Sequence, residues 1–427
     1  MKRQLLILAC AAATVLSGVA KTRKAIYVII DGVSANFLEK THPQTIFDVA
    51  RTGSYAHAYA GGKVGELTET PTISAIGYSN ILTGTWMYKH NVRGNSDIKT
   101  NYNYWSLFRI AKAQNRPVTT ALFSSWSDNR TILIGENLPQ TNYVKIDYAY
   151  DGYDQDQTRF PKKPHELHIY NIDSVVCRAA ADCIRKDAPD VSWVYLWYID
   201  DAFHDTGYSP YSEKYLHKED RLLNDIWQAV RYREKHFDED WLLILTTDHG
   251  REEQGFYHGG QTEGERGIWM ATNRRDMNEQ WGSSALSQVD ILPSICRYMG
   301  FTIPRDIEWE QDGLPFFGKA DIYDLKTTGY GDSVILEWSV RNKAKTKTNA
   351  DIYIALTNNF NTGGKDEWIK LATVKTAGGR ATIDLSPYKS GFFKFQVVTP
   401  YNRLTRWYNK SRWYRDIIPT FQNKKER

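Results

Sequence analysis

The chain has 427 residues, 41% of them hydrophobic and 24% charged, the composition of an ordinary soluble globular protein rather than a disordered or fibrous one, and long enough for two domains. A formal charge of +4 is small for this length and gives no basis for binding a nucleic-acid duplex. Aromatics make up 13%, with 14 Trp and 27 Tyr, enough to line a ligand cleft or to fill aromatic-rich β structure.

Lys2 and Arg3 precede an apolar run from Leu5 to Val19, and the small residues Gly18 and Ala20 suit cleavage before Lys21. Residues 1–20 therefore read as a secretory signal peptide, and the mature chain as secreted or periplasmic. The alternative, lipoprotein-type anchoring at Cys10, leaves about five apolar residues ahead of the cysteine, short of the usual ~7–15. No later apolar stretch reaches the ~18–20 residues that span a bilayer.

From residue 24 to about 318 the pattern alternates. Apolar runs at "KAIYVII" (24–30), "PVTTALFSS" (117–125), "VSWVYLWYI" (191–199) and "WLLILTT" (241–247) predict strands. Amphipathic stretches from Ile172 to Arg185, Glu213 to Lys235 and Ser287 to Met299 predict helices between and after them. Strands alternating with helices define an α/β domain over 21–318 with a mostly parallel sheet flanked by helices. Cys177 and Cys183 lie six apart in one predicted helix, which points them to different faces, so they read with Cys296 as buried thiols. After "GLPFFGKA" (313–320) the composition changes to short strand-like runs separated by Asn/Gly/Lys-rich turns. Residues 319–402 read as a small β-sandwich of the immunoglobulin or fibronectin-III kind, and 403–427 as a basic aromatic tail.

Three apolar strands each finish on a carboxylate: Asp31, Asp200 and Asp248. Ligands of open α/β sheets bind beyond the carboxyl ends of the strands, so these aspartates should converge. Packed carboxylates repel unless a cation sits among them, and a metal is the economical answer. His204 follows Asp200 by four, one helical turn on the same face; His249 adjoins Asp248; His258 follows in "FYHGGQ". Mixed Asp/His ligation without cysteine suits zinc, and six such ligands suffice for two ions. Asp201 reads as turned away from the ions or as supporting their ligands from behind. The other histidines, His57, His90, His165 and His217 among them, read as ordinary core or surface residues. Thr72 and Ser74 stand ahead of a small-residue run that starts a predicted helix, and either hydroxyl is a candidate nucleophile.

In these residues the chain resembles the alkaline phosphatase superfamily, and within it the type I phosphodiesterase/nucleotide pyrophosphatase branch. The likeness covers most of 24–318: Asp31 after the first strand, Ser74 nine before Thr83-Gly84, Asp200-x-x-x-His204-x-x-Gly207, Asp248-His249-Gly250, and His258 in "HGG". The resemblance makes Ser74, not Thr72, the nucleophile. It implies one Zn2+ on Asp200, His204 and His258 and another on Asp31, Asp248 and His249 with Ser74 on its open side, Mn2+ being the alternative metal. It also gives Asn95, 21 residues beyond Ser74, the task of holding phosphate oxygens, although Asn91 stands where the family usually has glycine. The implied activity is a secreted phosphodiesterase acting on a phosphate-ester small molecule, a phospholipid or a phosphorylated glycan through a phospho-serine intermediate.

Some phosphomonoesterase members carry a Lys-x-Arg pair after a later strand. Here "LFSSWSDNRT" (122–131) has no lysine, leaving Arg130 as a single cation, while Trp126 matches the diesterase branch. A phosphomonoesterase on the same metals is therefore the second reading. A catalytically silent glycan- or envelope-binding protein is the third, and retention of all six ligands with Ser74 argues against it. "SAIGY" lacks the C/S-x-P-x-R context of sulfatases. The tyrosines of 138–170 are candidates to stack on a base or sugar, or belong to a plain surface loop.

Overall fold

The computed structural model describes residues 21–410. The predicted signal peptide, Cys10 and the end of the basic tail lie outside the described residues. Among those described, no helix is long and apolar enough to cross a membrane.

Seven strands form one sheet: β1 (Thr22–Ile30), β2 (Ser54–Tyr59), β3 (Thr120–Ser124), β4 (Tyr148–Tyr150), β5 (Val191–Leu196), β6 (Glu239–Thr246) and β7 (Gly267–Thr272). Their order is β2-β7-β6-β1-β5-β3-β4. The run β6-β1-β5-β3-β4 is parallel, while β7 pairs antiparallel with both β6 and β2. Alternate residues of β1 serve opposite cores: Ile26, Val28 and Ile30 pack on one face, Ala25, Tyr27 and Ile29 on the other. Burial on both faces is why these strands read as unbroken apolar runs. Helices Leu167–Lys186 and Pro210–His236 cover the first face; Ser74–Thr83 and Ile291–Met299 cover the second.

Register brings the strand ends level. Ile30 pairs with Leu196, and Ile29 with Thr246, so β6, β1 and β5 stop together. The prediction carried β5 to Ile199, but the strand ends at Leu196 and a helix runs from Tyr198 to Thr206. Buried Asp173 causes the switch, since its carboxylate accepts the backbone N–H groups of Trp197 (3.2 Å) and Tyr198 (2.7 Å) that open the helix. Cys177 and Cys183 are buried free thiols on Leu167–Lys186, as their spacing predicts, and Cys296 is likewise free.

Beyond Ile322 two antiparallel sheets share one core. The strands β8 (Ile322–Tyr330), β9 (Ser333–Val340) and β12 (Arg380–Asp384) form one sheet. The other holds β10 (Asn349–Ala355), β11 (Ile369–Lys375), β13 (Phe392–Val398) and β14 (Arg403–Asn409). Leu336 and Trp338 of the first pack with Ile352, Phe395 and Leu404 of the second. The strand β14 corrects the tail reading of 403–409: Leu404 faces the sandwich core, and Arg403 reaches the Gln311 carbonyl at 2.8 Å. The two parts meet through buried charges. Lys394 of β13 pairs with Glu310 at 2.6 Å.

Candidate metal centre

Asp31 follows β1, and 1% of it is exposed. Its Oδ2 accepts the hydroxyls of Tyr195, at 2.7 Å, and of Tyr78, while Oδ1 has no hydrogen-bond partner. Asp248 follows β6; its Oδ1 accepts the Gly32 N–H at 3.1 Å, and its Oδ2 is also unpartnered. Burial and the neighbouring charge of Asp31 push the Asp248 carboxyl well above the ordinary range. Gly32 has φ +68°, and a Cβ there would lie 2.5 Å from Asp200 Oδ1, so the turn requires glycine.

Between these carboxylates sits the imidazole of His249. Its Nε2 lies 3.4 Å from Asp31 Oδ1, 3.3 Å from Asp248 Oδ2 and 3.2 Å from Ser74 Oγ. Burial holds its pKa below the usual histidine range, so the ring is neutral. Its Nδ1 meets the Gly250 carbonyl at 3.0 Å, which assigns the proton there and turns the Nε2 lone pair toward two bare carboxylate oxygens. Buried lone pairs facing one another without a proton describe a cation site.

A second group adjoins the first. On the helix Tyr198–Thr206, His204 Nε2 lies 3.3 Å from Asp200 Oδ2 and 3.1 Å from His258 Nε2. His258 donates its Nδ1–H to the Thr72 carbonyl at 2.8 Å, so its Nε2 also offers a lone pair. Burial, then the proximity of His249 and Arg251, keeps His258 well below the usual range. The rings of His249 and His258 stack 3.8 Å apart. One ligand atom from each of Asp31, Asp248 and His249 falls within 4.8 Å of the others, and the same holds for Asp200, His249 and His258. Five of the six predicted ligand residues fall into these two groups, and His204 adjoins the second through Asp200 and His258; such mixed carboxylate and imidazole donors fit divalent metal.

Ser74 opens the helix Ser74–Thr83 and is buried. Asn95 is exposed, and its Oδ1 accepts the Ala75 N–H at 2.9 Å, which leaves its amide N–H groups for a ligand. The Thr72 hydroxyl donates to the Gly260 carbonyl and accepts the Gly259 N–H, both at 2.9 Å, so Thr72 anchors the His258 loop. Asp201 belongs to neither ligand cluster; burial and the charge of Glu166 raise its pKa to about 7.

Other predicted contributors sit elsewhere. Arg130 is paired with two carboxylates: Nε contacts Asp151 at 2.8 Å and Nη1 contacts Glu136 at 2.6 Å. Trp126 packs edge-on to Tyr78, 6.1 Å between centroids, behind the Asp31 carboxylate. Within 138–170, Tyr150 stacks on Phe123 of the sheet. The sequence reading missed Tyr78, Tyr195, Asp173 and Arg251. Asp173 carries a signal, a carboxylate on the apolar face of an amphipathic helix; burial raises its pKa to about 6. Arg251, directly after Asp248-His249-Gly250, looks in sequence like any loop charge.

The geometry agrees with relatedness found by comparison. The family model for type I phosphodiesterase / nucleotide pyrophosphatase matches residues 25–259, and the chain belongs to that family. It is a phosphoric ester hydrolase. No curated protein matches at a significant level. Among solved structures, a putative sulfatase from Bacteroides thetaiotaomicron VPI-5482 aligns at 10% identity over 86% of each chain, with TM-score 0.50. Murine ectonucleotide pyrophosphatase / phosphodiesterase 5 aligns at 13% identity, over 66% of this chain and 96% of that one, with TM-score 0.45. The phosphonate monoester hydrolase of Agrobacterium radiobacter aligns at 13% identity, over 90% and 89%, with TM-score 0.45. At such identities the likeness to the sulfatase shows the alkaline-phosphatase-like fold alone.

Proposed function

We propose that the protein is a secreted two-zinc phosphodiesterase in which Ser74 is the nucleophile. The observation that carries this reading is Ser74 Oγ lying 3.2 Å from His249 Nε2, at the edge of the buried ligand cluster, with Asn95 tied to the next residue. Asp31, Asp248 and His249 would hold one Zn2+, and Asp200, His204 and His258 the other. Two such ions supply charge stabilisation for the attacking and leaving oxygens of an in-line displacement.

The chain's own groups do the rest. Ser74 Oγ adds to phosphorus, the bond to the leaving alcohol breaks, and phospho-serine forms; water then cleaves it and restores the hydroxyl. The Asn95 amide and the Ser74 backbone N–H hold the non-bridging oxygens, favoured by the helix N-terminus beneath them. The positions of the cations favour a diester over a dianionic monoester. Arg130 is committed to Asp151 and Glu136, and Arg251 to Asp200, so neither is left to grip a second phosphate charge.

The purified mature protein should carry two zinc ions per chain and hydrolyse bis-p-nitrophenyl phosphate. Chelation should abolish turnover and zinc should restore it. Full activity in metal-free protein would refute the reading.

A further inference from the structure

We propose that Arg251 is a positioning residue that removes one oxygen of Asp200 from metal coordination, making the Asp200–His204–His258 site the weaker of the two. The inference rests on reading both clusters as metal sites.

The Arg251 side chain is fully buried and ties its own loop to the Gly32 turn and the helix Tyr198–Thr206. Its Nε donates to the Gly32 carbonyl at 3.1 Å, Nη1 to the Phe256 carbonyl at 2.9 Å, and Nη2 to the Asp200 carbonyl at 3.2 Å. Nη2 also pairs with Asp200 Oδ1. The guanidinium lies over the Phe203 ring, 4.9 Å from its centroid, and a Cβ on Gly32 would come within 2.7 Å of Nη2. A planar fork held on three carbonyls and an aromatic face has one available placement. With Oδ1 engaged by Arg251, though still 3.8 Å from His258 Nε2, Asp200 presents Oδ2 more fully, the oxygen 3.3 Å from His204 Nε2.

Among the described residues, the other cluster has no such cation as a hydrogen-bond partner. Asp31 is held by two neutral hydroxyls, and Asp248 by the Gly32 N–H and the hydroxyl of Thr247 at 3.5 Å. Each of these two carboxylates keeps an unpartnered oxygen. The donor set of Asp31, Asp248 and His249 therefore holds two carboxylates, neither hydrogen-bonded to a cation, although Arg251 also acts on Asp31 through its charge. In the set of Asp200, His204 and His258, the one carboxylate is offset by Arg251. Affinity for a divalent ion rises with the charge count of its ligands, so the two sites should fill in sequence. Occupancy of the second would then follow free zinc over a range in which the first is saturated.

The test is a zinc titration of the metal-free full chain against a chromophoric chelator, a readout independent of turnover. Two steps of unequal affinity are expected, and His204→Ala should remove the weaker. Arg251→Gln, which keeps an amide donor but removes the charge, should tighten the weaker step by about tenfold, within the ~10–100-fold range of outer-shell effects. Arg251→Lys should leave the steps unequal. A purely structural arginine predicts the opposite sign, with Arg251→Gln loosening both steps together. If that variant does not fold, the wild-type titration with His204→Ala still decides. Two equal steps, or loss of the tighter step in His204→Ala, would overturn the assignment of Arg251 alone. No zinc bound at all would overturn the metal-centre reading with it.

Discussion

The carbonyl oxygen of Thr72 accepts the Nδ1–H of His258 at 2.8 Å, across 186 positions of the chain. The approach to Ser74 and the loop bearing His258, a proposed ligand, are thereby one unit. The Thr72 hydroxyl reinforces it through Gly259 and Gly260. Thr72→Val keeps the carbonyl and loses both hydroxyl bonds. Zinc affinity should fall, by up to the ~10–100-fold typical of outer-shell partners. Turnover at saturating zinc should stay near wild type, because the nucleophile is untouched. Competition with a chelator and turnover at high zinc check both parts; loss of turnover at saturating zinc would return Thr72 to candidacy as nucleophile.

Asn95 keeps its amide N–H groups free because its Oδ1 is held by the Ala75 N–H. Asn95→Ala should lower kcat on a diester by about 10²–10³-fold, the usual cost of one oxyanion donor. Zinc stoichiometry should not change. Equal kcat in the two proteins would exclude the contact.

The strand-terminal aspartates were legible because a parallel sheet buried on both faces writes itself as apolar runs, each ending where a ligand can be met. The end of β5 was not legible: Tyr198 and Ile199 suit either state, and the deciding cap, Asp173, lies 25 residues upstream of Tyr198. The strands β2, at the sheet edge, and β7, beside it, escaped notice because "SYAHAY" is only partly buried and "GIWMAT" is short. In β14, the charges of Arg403 and Arg406 masked Leu404, which faces the sandwich core. At the site, the candidate ligand residues showed through their spacing to strand ends. Tyr78, Tyr195 and Arg251 act through contacts distant in sequence, which no spacing encodes.

Arg130 bridges Asp151 and Glu136, whose side chains are 4% and 7% exposed. Arg130→Ala should cost about 1–3 kcal/mol of stability by leaving these carboxylates unpaired. Diester turnover at a temperature where both proteins are folded should change less than about threefold, against the far larger losses of true oxyanion donors. Denaturant unfolding and steady-state kinetics separate the two effects.

His90 is fully buried and neutral, its Nε2 2.8 Å from Asn80 Oδ1 and its Nδ1 accepting the Val92 N–H at 3.1 Å. Burial, reinforced by Arg93, pushes its pKa down to about 3. An unfolded histidine takes its proton near pH 6.5, so between about 6.5 and 3 the unfolded chain binds more protons and stability falls as the pH is lowered. This group's contribution should fall by about 1.4 kcal/mol per pH unit across that window. Urea unfolding of wild type and His90→Gln at pH 7 and 5 should show a shallower decline in the variant. Identical declines would contradict the assignment.

That Ser74 is the nucleophile of a phosphodiesterase is tested most directly by turnover of bis-p-nitrophenyl phosphate and p-nitrophenyl phosphate by the zinc-loaded protein, with and without Ser74→Ala. The expected result is faster turnover of the diester and a loss of about 10³-fold or more on substitution, the scale seen when a nucleophile is removed. Preference for the monoester, or diester turnover surviving in Ser74→Ala, would contradict it.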